Sequence, residues 1–225
     1  GRQRAARQAA QLLGPAVAQQ LEALWDNPER TLRRIGSVER ALREPVGVLA
    51  VMRVAAQDPA QATALLDAPW AAHLRPEWAA GAWGAIARQA SLRQLPEAAD
   101  WGERALDHAA RVPVELRAGD DTLAWITRAH LRATGSRAQA WSRVASTIDA
   151  MSEAAQADPA WSYWKARALL ARARPGSAGD AALAEAQSLL QRIASPLHFY
   201  GQLALEQLGQ PVVLPAAAAP LAPAE

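Results

Sequence analysis

The 225-residue chain contains no cysteine. Thiol nucleophiles, Cys-ligated zinc and a disulfide framework are therefore excluded. Lysine is almost absent too: of 24 Lys+Arg, only Lys165 is a lysine. Aromatic residues make up 5% of the chain, and nine of them are Trp, against two Tyr and one Phe. No run of about 20 apolar residues occurs, so no segment reads as a membrane-spanning helix. Alternating β-branched runs are missing as well. Residues 111–116 are the one strand candidate, and Pro113 breaks them.

What the chain does contain is alanine, at 57 of its 225 residues. Leu, Arg, Gln and Glu supply much of the rest, and these are the strong helix formers. A hydrophobic content of 51% with 20% charge is too apolar for a disordered chain. At about 150 residues per domain, the length allows one or two domains and a core needing no staple.

The isoelectric point near 9.6 suggests a nucleic-acid partner, but the net charge is only +2. Arg stays protonated throughout this range and little else titrates near pH 10, so a small Arg excess lifts the crossing point. Residues 1–43 hold eight Arg against four acids. With no reading helix or aromatic platform beside them, they read as a solvated helical face, and no nucleic acid is expected as a partner.

Proline marks where helices begin. Asn27-Pro28, Asp58-Pro59, Asp158-Pro159 and Ser195-Pro196 each set a capping side chain before a proline. Such a side-chain oxygen accepts a free backbone N–H, and proline in the first turn loses no needed donor. Gly14-Pro15 reads as a helix junction, and Gly135-Ser136 with Gln139 as a helix end followed by a capping box. Apolar spacing predicts three buried stripes: Trp141, Val144, Ala145, Ile148 and Met151; Leu183, Ala186, Leu190 and Ile193; and Trp161, Trp164, Ala168 and Ala171. Asp100 with Arg104, and Asp107 with Arg111, form acid-first pairs on an exposed face. About ten helices of roughly 8–17 residues are expected.

An internal period runs through the Trp residues. Trp83, Trp125 and Trp164 stand 42 and 39 residues apart, and Trp101 and Trp141 stand 40 apart. The segment Trp125-Ile-Thr-Arg-Ala129 aligns with Trp164-Lys-Ala-Arg-Ala168. The fold class expected is all-α, a superhelix of antiparallel helix pairs with a degenerate repeat of about 40 residues. It would span residues 1–209, trimmed at its start. Residues 210–225, rich in Pro and Ala, would form a linker.

Chemistry-bearing motifs are sparse. The four His, at positions 73, 108, 130 and 198, show no paired metal spacing. No phosphate loop or nucleophile elbow is present, and Asp120-Asp121 after Gly119 reads as a helix cap. No catalytic residue, metal or cofactor is expected. The candidate positions are Trp125, Arg128, Trp164, Arg167 and Tyr200. Trp faces can stack on sugar rings or fill gaps between repeats, and the Arg residues can bond a neighbouring repeat's carbonyls or line a concave surface.

Four segments carry a resemblance. They are Trp125-Ile-Thr-Arg-Ala-His-Leu-Arg, the helix ending Ile148-Asp-Ala-Met151, Asp158-Pro-Ala-Trp-Ser-Tyr-Trp-Lys-Ala-Arg-Ala168, and Phe199-Tyr-Gly-Gln-Leu-Ala-Leu-Glu-Gln-Leu-Gly-Gln-Pro211. Over residues 116–211 the chain resembles the helical domain of soluble lytic murein transglycosylases, and residues 46–111 fit more loosely. The resemblance implies a periplasmic protein acting on peptidoglycan. In that family the N-acetylmuramic acid to N-acetylglucosamine β-1,4 bond is cleaved without water by a single Glu in a lysozyme-like domain. That Glu is followed by Ser, with Gly-Leu-Met-Gln downstream. Neither motif occurs here, so no catalytic residue is carried over and the chain by itself is expected to be non-catalytic. The partners implied are glycan strands, a downstream catalytic domain and other cell-wall proteins. The alternative is a tetratricopeptide-like protein-interaction scaffold with no enzyme attached.

Overall fold

The computed structural model describes residues 2–113, 118–133 and 139–213. Among them are thirteen α-helices and no strand. They fall into two compact units, residues 1–136 and 137–225. The first holds α1 (Arg2–Leu13), α2 (Pro15–Asp26), α3 (Pro28–Arg33), α4 (Arg43–Ala55), α5 (Pro59–Leu66), α6 (Pro76–Leu92), α7 (Ala98–Ala109) and α8 (Asp120–Ala133). The second holds α9 (Ala140–Asp149), α10 (Glu153–Gln156), α11 (Pro159–Arg172), α12 (Ser177–Ile193) and α13 (Phe199–Gln207). The count exceeds the ten expected because α3, α5 and α10 are short, at 6, 8 and 4 residues.

Most helix starts follow the local chemistry. Asn27 Oδ1 accepts from the Arg30 N–H at 2.8 Å, Asp58 Oδ1 from Gln61 at 2.9 Å, and Asp158 Oδ1 from Ala160 at 2.8 Å. Each cap precedes a proline in the first turn. Gly14 takes φ 121° before Pro15, a conformation that suits glycine. Ser195-Pro196 departs from the pattern. Ser195 Oγ instead accepts from Leu197 N–H at 3.2 Å within a turn, and α13 begins later, with His198 as its cap. Asp120 and Asp121 lie in the first turn of α8 rather than before it. The Gly135-Ser136 junction lies outside the described residues. So does the second half of the strand candidate, whose first residues, Arg111 and Val112, form the turn leaving α7.

In the first unit α4, α6 and α8 pack one against the next, while α5 folds back on α4 and α7 on α6. The core they enclose includes Val48, Val51, Ile86 and Ile126, all buried. Removing such a side chain from water contributes roughly 1.5–3 kcal/mol. Small residues set the helix spacing. A Cβ on Gly102 of α7 would lie 2.8 Å from Ile126 Cγ2, and one on Gly84 of α6 would lie 3.3 Å from Thr122 Cγ2. The Arg-rich and Trp-rich character of the sequence meets here. Arg104 lies over the Trp83 ring at 4.6 Å, Arg7 over Trp25 at 5.2 Å and Arg75 over Trp78 at 5.9 Å. A planar guanidinium stacks on indole where an ammonium does so less readily. Asp100, Arg104, Asp107 and Arg111 all lie on the exposed face of α7 and the turn after it, as their spacing predicts.

In the second unit α11 and α12 form a hairpin, α9 packs on α11, and α13 closes against both α11 and α12. The α9 stripe is inward, with Val144, Ala145, Ile148 and Met151 buried. Two stripes need correction. Leu183 is 44% exposed, although Ala186, Leu190 and Ile193 are buried. Ala171 is exposed, and the buried face of α11 runs through Tyr163 and Ala166 rather than Trp164 and Ala171. The aligned segments still place matching positions inward. Thr127 and Ala166 are buried, as are Ala129 and Ala168, and Trp125 and Trp164 are each half-buried. Buried Thr127 donates its hydroxyl to the Leu123 carbonyl one turn back, at 2.8 Å, so no polar atom is stranded. Gly209, at φ 69°, ends α13. There the Gln210 N–H donates to the Leu205 carbonyl at 2.9 Å, closing the last turn.

Candidate functional site

Three of the five sequence-predicted positions come together in the second unit. Trp164 Nε1 donates to the Tyr200 hydroxyl at 3.4 Å, joining α11 to α13. Between them stands Tyr163, which the sequence reading missed. Its ring meets Trp164 edge-on at 5.3 Å and Tyr200 at 5.7 Å. Arg167 donates to the Tyr163 hydroxyl at 3.1 Å and lies 5.9 Å from its ring. Phe199 extends the cluster outward, edge-on to Tyr200 at 5.2 Å and 66% exposed. The result is an aromatic knot with a cationic flank and one open ring face.

The turn before α13 holds this knot in place. A Cβ on Gly201 would lie 2.5 Å from the Ser195 carbonyl oxygen, 2.7 Å from His198 Cε1 and 2.9 Å from the Ile193 carbonyl oxygen. Only glycine lets the turn press this closely on the helix. The Gln202 side chain donates to the Pro196 carbonyl at 2.8 Å, and His198 Nδ1 accepts from the Gly201 N–H at 2.9 Å. The Tyr-Gly-Gln run is thus a seat for the turn that orients Tyr200.

Beside the knot lies a charged clamp. Lys165 Nζ donates to Asp149 of α9 at 2.8 Å and to Glu185 of α12 at 3.2 Å. Its side chain is 19% exposed. Burial works against the ammonium, but the hydrogen bonds and charges of the two carboxylates outweigh it and hold the pKa above the ordinary lysine value. Lys165 also lines a cleft of about 460 Å³ with Gln156, Ser162, Glu185 and Arg192. At the aligned place in the first unit stands Ile126, fully buried.

Trp125 and Arg128, the other two predicted positions, lie on α8 of the first unit, with the Arg128 guanidinium 4.8 Å from the Trp125 ring centroid. Two further Arg residues bond carbonyls of a neighbouring helix. Arg93 donates to the Ala56 carbonyl at 2.7 Å, and Arg132 to the Ser91 carbonyl at 3.2 Å. A groove of about 680 Å³ runs over α6, floored by Ala80, Gly81, Gly84 and Ala85 and edged by Arg88 and Asp121, which pair. Among the described residues no three His, Asp or Glu side chains converge to hold a metal.

No family model matches the chain, and no curated protein matches it. Among the described residues no helix is long and apolar enough to cross a membrane. The two residues that sequence reasoning passed over carried signals of their own. Tyr163 lies inside the Ser-Tyr-Trp-Lys run, and Lys165 is the chain's one lysine.

Proposed function

We propose that the chain is a superhelical accessory module of a periplasmic lytic transglycosylase acting on peptidoglycan. It holds glycan strands or protein partners beside a catalytic domain outside these 225 residues. The observation that carries the reading is the knot of Tyr163, Trp164 and Tyr200. It joins two of the four segments that resemble the family, Asp158–Ala168 and Phe199–Pro211, across one helix interface. Aromatic faces with a cationic flank suit sugar rings and the carboxylates of peptide stems. The stacking of α4, α6 and α8, with α5 folded back on α4 and α7 on α6, supports the superhelical part of the proposal.

The same stacking also favours the second reading, a tetratricopeptide-like scaffold without an enzyme. The test is sedimentation of the 225-residue chain with purified peptidoglycan, together with a zymogram. Co-pelleting without clearing is expected, and Tyr200→Ala should weaken the co-pelleting. A chain that stays in the supernatant overturns the peptidoglycan reading in favour of the scaffold, and clearing overturns the non-catalytic assignment.

A further inference from the structure

We propose that His198 is an acid-sensitive latch: its neutral imidazole closes the first turn of α13, and proton uptake opens the junction between α12 and α13. The other side-chain caps among the described helices are oxygens, from Asn27, Asp58, Ser152 and Asp158. These accept a hydrogen bond at any pH near neutrality. α13 alone among the described helices is capped by an imidazole nitrogen, with His198 Nδ1 accepting from the Gly201 N–H at 2.9 Å. That bond requires the tautomer with its proton on Nε2. In the doubly protonated form both ring nitrogens are donors, so two N–H groups would face each other. The new positive charge would also sit at the positive end of the helix dipole. Both effects work in the same direction.

Nothing packed nearby compensates the cation. α13 carries Glu206 in its last turn, at the far end from His198. On α12, Glu185 is held by Lys165, and Arg192, itself basic, donates to Ser188 Oγ at 3.3 Å. On α11 and its cap, Asp158 is engaged by Ala160, Lys165 by its two carboxylates and Arg167 by the Tyr163 hydroxyl, and Arg172 is itself basic; Asp180 lies in the first turn of α12, at the end away from His198, and Tyr163 and Tyr200 are the phenols of the knot. Among the described residues no carboxylate lies within 4.0 Å of the His198 ring. The turn around Gly201 has two further ties, Gln202 to Pro196 and the Ser195 N–H to the Gly201 carbonyl at 3.4 Å. Losing the cap therefore loosens the junction rather than unfolding it. Tyr200, two residues on, loses its fixed placement against Trp164, and Phe199, which rests on Tyr200, moves with it.

The test is amide hydrogen exchange of the full chain, read at Gly201 and corrected for intrinsic exchange, between pH 7.5 and 5.0. Histidine is the side chain that takes up a proton in this window. Wild type should lose about five-fold in protection at Gly201 on acidification, the scale of one lost cap. His198→Asn, which caps through oxygen, should keep its protection at both pH values. His198→Ala should show the low value at both. Unchanged protection in wild type, or the same pH response in His198→Asn, overturns the proposal. The Ala155 and Gln61 amides, capped by oxygens, serve as internal references.

Discussion

Two helical glycines should respond to alanine with opposite signs. In an unobstructed helix, Gly→Ala gains about 1 kcal/mol, because glycine loses more backbone entropy on folding. Gly81 on α6 is such a place: a Cβ there meets only the flexible Met52 Cε, at an ordinary 3.5 Å. Gly201 on α13 is the opposite case. Its Cβ would lie 2.5 Å and 2.9 Å from two backbone oxygens, of Ser195 and Ile193. Neither oxygen can swing aside as a side-chain end does, so the whole turn would have to move by about 1 Å to reach ordinary contact. That shift strains or breaks the bonds that Gln202 and His198 make. Overpacking of this kind costs about 1–3 kcal/mol. Set against the gain in helix propensity, Gly201→Ala should lose up to about 2 kcal/mol while Gly81→Ala gains up to about 1 kcal/mol. Urea unfolding followed by far-UV circular dichroism measures each variant. Because the chain divides into two compact units, native-state exchange of α6 and α13 amides assigns each change to its own unit. If Gly201→Ala stabilises as Gly81→Ala should, the turn is not seated on the glycine and the account of the Tyr-Gly-Gln run fails.

Two electrostatic links give further tests. Glu44 accepts from the Arg75 N–H at 2.9 Å and pairs with its side chain at 2.7 Å, tying the start of α4 to the start of α6. Partial burial pushes the Glu44 carboxyl up, but these bonds outweigh it and hold its pKa below the ordinary carboxylate value. The stability it lends is therefore present above that value and is lost as pH falls through the lowered one. Glu44→Gln should be less stable than wild type by about 1 kcal/mol at pH 7, with the gap closing toward pH 3 in thermal melts. An equal gap at both pH values would contradict the link. Lys165→Met keeps the stem but loses both ion pairs, and should cost about 1 kcal/mol at pH 7, because both carboxylates remain about half exposed to water. In that background Glu185→Gln should be silent, whereas in wild type it should cost about 0.5 kcal/mol. Equal costs in the two backgrounds would show that the clamp contributes no coupling energy. Since the lysine pKa is raised, its contribution is complete below the ordinary lysine range and fades only in stronger alkali.

The features legible in sequence were the local ones. An Asn or Asp before proline folds its own oxygen onto a nearby N–H, so Asn27, Asp58 and Asp158 announced their helices without help from the rest of the chain. Ser195-Pro196 offered the same pattern, yet the turn demanded by Gly201 moved the helix start to His198, which no local preference favours. Periodicity located faces but not their bearing or extent. On α11 the spacing drew the stripe through Trp161, Trp164, Ala168 and Ala171; Trp161 and Ala168 are buried, but the neighbours also cover Tyr163 and Ala166 and leave Ala171 exposed. On α12 the period included Leu183, which its neighbours leave 44% exposed. Among the candidate site residues, Trp164, Arg167 and Tyr200 were found because they lie in or beside distinctive segments. Lys165 was not, because its partners are 16 and 20 residues away and come from two other helices.

The comparison of Ile126 with Lys165 says where specific function is to be sought. Where two helical units share a burial pattern, the shared positions serve the packing and the differing ones are free to serve something else. Thr127 and Ala166, and Ala129 and Ala168, keep the same inward places with small side chains. Ile126 keeps a dry core, but Lys165 exchanges it for an ammonium held by two carboxylates. In such an exchange the cost of desolvating the ammonium offsets part of what its two ion pairs contribute. The same unit carries the imidazole cap and the aromatic knot, both built from residues of α11, α13 and the turn between α12 and α13. Three departures from plain helix packing thus gather around α11 of one unit. That concentration makes the second unit, rather than the basic N-terminal segment, the place to look for binding.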